Sequence, residues 1–426
     1  MLVSRRIFLF GSLALPAFAA KSKKKAEAVR PGILLILVDE LPAFMLGSYG
    51  NKQVRTSNLD LLANMGMRFT NHFACAPAAV AGRNTLLTGA TPMQLGDSGN
   101  LSADDVPLAR ILGGAGYASQ EGDAAAALQF LDGQAAGKPF FFTLNCPSLR
   151  PPYDSVPQQY LDLYSGEPFD GYAPDLPAAS AADGKEMLRN ILGSVHKAAA
   201  SLTALDETVV KPVIAKLRAR GLTDSTLVVF TSASGALWGR HGLWDSGGAS
   251  DPPNMYDDAV GTPMIWSWPG HIPAVAHRPE LVSAYDFVPS ICDLAGVAVP
   301  QRNLCGRSYL PLVQMKELPK NSPWRRSVCA HLGNTGMSRE DRYKFVSRND
   351  GKGPNELYDL VIDPGEKENQ AENPQFLTLH NELSGILDKW KKDYSTVTPS
   401  AQEQQAVKGK SKKKNKNKKK STSPAG

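Results

Sequence analysis

Three apolar runs punctuate the chain. Ile33–Val38 is unbroken and ends in Asp39-Glu40, Phe140–Asn145 is led by three phenylalanines, and Thr226–Thr231 runs into Ser232-Ala233-Ser234-Gly235. Runs this short and this continuous suit strands buried on both faces, as in a parallel sheet, and the first would present two carboxylates at its C-terminal end. Residues 184–220 carry helical periodicity, whereas 155–175 are rich in Pro and Tyr without a period and predict a surface excursion. A chain of 426 residues is long enough for one large α/β domain and a smaller one.

Both ends break the pattern. Twin arginines at 5 and 6 precede a short apolar run, and Ala17-Phe18-Ala19 offers small residues for a signal peptidase. The run is too short to cross a bilayer, so residues 1–20 predict a twin-arginine export signal, delivery to the periplasm or another extracytoplasmic space, and no transmembrane segment after its removal. A basic linker, 21–30, follows. Residues 396–426 form a Lys-rich tail of low complexity, expected to be disordered. These ends distort the formal net charge of +6: nine lysines sit at 408–420 and six basic residues at 5–25. Residues 26–407 keep 32 of the 47 basic residues against 41 acidic ones, about −9, which argues against a nucleic-acid-binding face. Five cysteines (75, 146, 292, 305, 329) with no C-x-x-C pair do not make a disulfide framework.

Residues 69–89, FTNHFACAPAAVAGRNTLLTG, resemble the sulfatase family of the alkaline-phosphatase superfamily. Members carry FTNxxxxxPxCxPSRxxLLTG here, and the Cys or Ser becomes the formylglycine nucleophile. Counting ten residues on from Phe69 or ten back from Gly89 reaches Ala79, with Pro77 two before it and Arg83 four after. A methyl group cannot be oxidised to an aldehyde or attack sulfur. Cys75 opens a C-x-P of its own, but no Arg follows at the right distance, and it is expected to be a small buried hydrophobe.

The resemblance runs from about 31 to 390. LLILVDELPAFMLGSYGNKQVRTSNLDLLANMGMRFTN is similar to the family's opening, where the acidic pair, here Asp39 and Glu40, binds a divalent cation, usually calcium. DDVPLARILGGAGY (104–117) looks like a family helix that leads into a strand ending in G-K-W-H. Here Asp123 and a run of alanines follow instead, so the Lys and His are absent, and most of a strand with its connecting segment is expected to be missing. Ser148 stands where related chains place a His near the leaving oxygen. Ala233 and Ser234 replace two further metal ligands, and Ser246 replaces a Lys two residues after Trp244. Asp206 and His241 are expected to be structural. DRYKFVSRNDGKGPNELYDLVIDPGEKENQA (341–371) resembles the family's C-terminal sheet.

The implied fold is a mixed, mainly parallel sheet with helices on both faces at 31–312, then a small antiparallel subdomain at 313–395. The implied cofactor is calcium. With only Asp39 and Glu40 left of four side-chain ligands, vestigial ones, no tight calcium site is expected, and no residue is assigned as catalytic. Arg83 alone survives from the sulfate-facing set, and its expected role is a buried partner for Asp39 or Glu40. Three readings follow. The first is a catalytically degenerate, exported sulfatase-like protein that binds a sulfated or other anionic ligand or a partner. The second is a sulfate- or phosphate-ester hydrolase with a site relocated to Cys75 or Asp97. The third is an envelope protein tethered by its basic tail.

Overall fold

The computed structural model describes residues 30–96, 101, 105–169 and 185–396. The export signal, nearly all of the basic linker, Asp97, part of the 155–175 excursion and all but the first residue of the Lys-rich tail lie outside the described residues.

In chain order the strands are β1 (Gly32–Glu40), β2 (Met67–Phe69), β3 (His72–Phe73), β4 (Ala118–Gly122), β5 (Phe140–Asn145), β6 (Thr226–Ser234), β7 (Met264–Ser267), β8 (Ala276–Arg278) and β9 (Val282–Ser283), followed by β10 (Ser327–Leu332), β11 (Thr335–Glu340), β12 (Tyr343–Ser347) and β13 (Glu356–Asp359). Seven of them form one sheet in the order β4-β5-β1-β6-β7-β2-β8. The three apolar runs are its centre. β1 pairs in parallel with β5 on one side and β6 on the other, in register at Leu37–Asn145 and Glu40–Ser234. The C-terminal ends of all three strands therefore emerge together. β7 runs antiparallel to β6 and β2, which makes the sheet mixed.

Alternation along the central strands sends side chains into two apolar layers. Leu34, Ile36, Val38, Phe142 and Phe230 enter one, with helices α1 (Ser57–Asn64), α4 (Ala124–Asp132), α5 (Ile191–Leu205) and α6 (Lys211–Ala219) over it. Ile33, Leu35, Leu37, Phe141 and Val229 enter the other, beneath α2 (Ala79–Thr88), α3 (Leu108–Gly114) and α7 (Phe287–Ala295). Burial on both faces is why these strands read as continuous apolar runs instead of alternating ones.

The strand expected to be missing after Tyr117 is present. Ala118–Gly122 pairs in parallel with β5 at the sheet edge, where polar residues are tolerated. Only the segment beyond it is lost: the Asp123 carboxylate accepts a hydrogen bond from Ala126 N (2.9 Å) and starts α4 at once.

β10–β13 form a four-stranded antiparallel meander. The amphipathic helix α8 (Leu377–Tyr394) lays Leu383, Leu387 and Trp390 across it. Lys344, wholly buried on β12, ties this sheet to the segment that leads into β7. Its ammonium meets Asp257 at 2.9 Å and Glu366 at 2.6 Å, and Arg339 adds a second cation to Asp257 at 3.2 Å.

Candidate functional site

The residues singled out from the sequence converge at the C-terminal ends of β1 and β6. Asp39 and Glu40 close β1, Ala233 and Ser234 close β6, and α2 begins at Ala79. Helix α2 has no side-chain N-cap and ends at Gly89, whose φ of 73° suits a left-handed C-cap. Its first turn lies hard against β6. A Cβ placed on Gly82 would stand 1.9 Å from the Ala233 carbonyl oxygen, so the helix approaches the strand end as closely as a glycine permits. The loop carrying Ser246 closes from the other side: Gly247 N donates to Pro77 O at 2.7 Å, and a Cβ on Gly247 would meet the Pro77 ring at 2.4 Å. Ala79 is left buried.

Glu40 carries the electrostatics of the site. Only 2% of it is exposed. Arg150, on the segment leaving β5, grips it with both arms of the guanidinium fork: Nε donates to Oε2 at 2.7 Å, and Nη2 contacts Oε1. Ser246 Oγ donates to Oε1 at 3.2 Å, so the serine in the place of the family's lysine still serves the same carboxylate. Burial pushes the Glu40 carboxyl up to about 7, against the pull of Arg150 and with added repulsion from Asp245. The hydrogen bond to Glu40 favours the charged form of Arg150. Asp39 is half-buried, and its backbone carbonyl accepts from Ser234 Oγ at 3.4 Å.

Arg83 does not have the partner expected of it. Its side chain leaves α2 toward the sheet edge, and Nη2 pairs with Glu121 of β4 at 3.2 Å. The strand that the sequence reading omitted supplies that partner, and Arg150 takes the role assigned to Arg83. Arg150 was missed because this segment was read only for the position of its histidine, Ser148, two residues earlier. The signal was nonetheless there: a buried acidic pair demands a cation, and β5 is the strand next to β1.

The other expected residues fall as follows. Ser148 is exposed and its hydroxyl accepts from Arg150 N at 3.2 Å, shaping the turn that presents the arginine. His241 has a φ of 55° and stacks on Tyr256 with ring centroids 3.6 Å apart. Asp206 caps α1 from across the fold, accepting from Asn58 N and Leu59 N at 2.9 Å each. Cys75 is fully buried at the seam with the C-terminal sheet, and burial raises its thiol well above the usual range, so it is not poised as a thiolate.

Calcium does not fit these side chains. It takes about six to eight oxygen ligands. Ala233 offers none from its side chain, and both oxygens of Glu40 are already engaged by a guanidinium. Among the described residues no cluster of three or more His, Cys, Asp or Glu could hold a metal. The arrangement provides an internal ion pair at the strand ends, without an attacking oxygen or sulfur at Ala79 and without an acid at Ser148.

The sequence profile of the sulfatase family matches residues 31–124 and 123–297. The chain belongs to the sulfatase family. A second profile, the C-terminal region of N-sulphoglucosamine sulphohydrolase, matches residues 239–393 of this sulfatase-family chain. It is 22% identical to an N-acetylglucosamine-6-O-sulfatase of Bacteroides thetaiotaomicron, over 93% of this chain and 92% of that one. Human arylsulfatase A is 28% identical over 68% of each chain. Among solved structures, a protein in complex with its substrate D-glucosamine-2-N,6-O-disulfate superposes with a TM-score of 0.72, at 18% identity over 86% of this chain and 98% of that one. The phosphonate monoester hydrolase of Agrobacterium radiobacter superposes with a TM-score of 0.71, at 19% identity over 86% and 96%. These superpositions support the sulfatase fold of a mainly parallel sheet with a small C-terminal antiparallel sheet.

Proposed function

We propose that this chain is a non-catalytic member of the sulfatase family, exported through its twin-arginine signal to an extracytoplasmic space, where it binds a sulfated or other anionic glycan without hydrolysing it. The observation that carries the reading is the Arg150–Glu40 pair. A protein guanidinium takes the negative charge that a catalytic cation would otherwise neutralise, and the family's nucleophile position is held by Ala79. Sulfate-ester hydrolysis on this fold needs a nucleophile, a cation polarising nucleophile and ester oxygens, and groups that meet the departing charge. Each of these has been replaced at its own place in the chain: Ala79, then Arg150 with Ala233, then Ser148 and Ser246. Arg150 remains 47% exposed at its side chain, and among the described residues its Nη1 has no partner, so one edge of the fork is open to an anion. The named relatives support a sulfated sugar as the ligand class. The burial and raised pKa of Cys75 weigh against a relocated nucleophile there.

The test is paired. Purified chain is titrated with sulfated and desulfated heparin oligosaccharides by calorimetry, and assayed with aryl sulfates and glucosamine 6-sulfate in added calcium. Sulfate-dependent binding with turnover at the buffer rate is expected. Turnover at the rate of a family enzyme overturns the reading.

A further inference from the structure

A cavity of about 280 Å³ opens between helices α1 and α6, above the N-terminal half of β6. It is separate from the site already described. Thr226 at its floor and Ser234 at that site are the two ends of one nine-residue strand, roughly 26 Å apart at about 3.3 Å per residue.

Helix spacing makes the walls. Asn58, Leu61 and Leu62 with Met65, just past the end of α1, sit at i, i+3, i+4 and i+7, and Lys211, Ile214, Ala215 and Arg218 repeat that spacing on α6. The interior is mostly apolar, and Leu61 stands 48% exposed at the opening. One feature departs from an ordinary gap between helices. At the mouth the charge is one-sided. Lys211 is neutralised by Glu207, with Nζ and Oε2 2.6 Å apart. Arg218 is exposed with no ion-pair partner, and no carboxylate lines the cavity, both among the described residues.

We propose that this cavity binds a small arylalkyl carboxylate, with the ring between the two helices and the carboxylate on Arg218. The size fits: a cavity of ~150 Å³ takes up benzene, so this one holds a ring with a short side chain. The charge fits a carboxylate because the guanidinium fork matches its two oxygens.

The probe is 3-phenylpropionate, titrated into the full chain and followed by calorimetry and saturation-transfer NMR. Its amide serves as the comparison. Saturable binding is expected, weakened roughly ten- to a hundredfold in the amide or in R218Q, the range a charge-assisted hydrogen bond supplies. A215W, at an exposed position, fills the cavity and abolishes binding while leaving the melting temperature unchanged. Absence of saturable binding, an amide or R218Q that binds as well as the parent, or binding that survives A215W overturns the proposal. So does a dimer in sedimentation that A215W dissociates, since the cavity would then be a subunit face.

Discussion

Replacing Arg150 by Gln leaves Glu40 buried beside Asp39 and Asp245 with no cation. Breaking a fully buried pair costs ~3–5 kcal/mol, and because Arg150 is about half exposed the expected loss is discounted to roughly 2 kcal/mol. The loss must depend on pH, and the sign follows from the carboxyl. Its folded pKa of about 7 lies above the ordinary value of 4.5 that it has in the unfolded chain, so Glu40's contribution to stability is fully present below 4.5 and is lost as pH rises through 7. The whole swing for this group is about 3 kcal/mol. Arg150 limits that loss at high pH, where the carboxylate is ionised. R150Q should therefore be ~2 kcal/mol less stable than wild type at pH 8.5, yet within roughly 1 kcal/mol at pH 5, where Glu40 is protonated in both. Urea unfolding followed by tryptophan fluorescence at the two pH values reads the difference. An equal loss at both, or none at pH 8.5, would refute the claim that Arg150 acts as the counter-cation of Glu40.

K344M strands Asp257 and Glu366 without their ammonium and should cost about 3–5 kcal/mol, read as a lowered urea midpoint; a change under 1 kcal/mol would mean the buried lock contributes little. Burial lowers the pKa of His72 to about 3 from 6.5, so its contribution is complete above 6.5 and is lost as pH falls toward 3, the opposite sense to Glu40. H72Q should resist acid unfolding better than wild type between pH 6 and 4, by as much as about 3 kcal/mol at pH 4, and an unchanged acid midpoint would contradict this. Rebuilding the maturation motif as A79C/A81P/G82S requires a side chain at Gly82, where a Cβ meets the Ala233 carbonyl at 1.9 Å; G82S alone should cost ~1–3 kcal/mol, and the triple variant should stay inactive on aryl sulfates. A triple variant with wild-type stability and sulfatase turnover would show that the space in front of residue 79 is open.

Local pattern carried the fold. The runs at 33–38, 140–145 and 226–231 are buried on both sides, and such burial writes itself into sequence as continuous apolar residues, so their common sheet was legible. The edge strand β4 was not, because Ala-Ser-Gln-Glu-Gly has no apolar face and owes its conformation to β5 alongside. At the site, the register that puts Ala79 at the head of α2 could be read by counting. The choice of cation could not: Arg83 and Arg150 are both plausible by type, and only the direction in which each backbone leaves its element sends one to Glu121 and the other to Glu40. The contact between Gly82 and Ala233 is likewise invisible in sequence, since it depends on two main chains 151 residues apart meeting in space.

The central claim is that a guanidinium has replaced the metal. Calcium titration of the full chain by calorimetry at pH 7.5 tests it most directly, with R150Q alongside. No saturable heat is expected from wild type at micromolar to millimolar calcium, because both Glu40 oxygens are held by Arg150 and Ala233 supplies no side-chain ligand. Micromolar calcium affinity at this site, abolished by E40Q, would contradict the account.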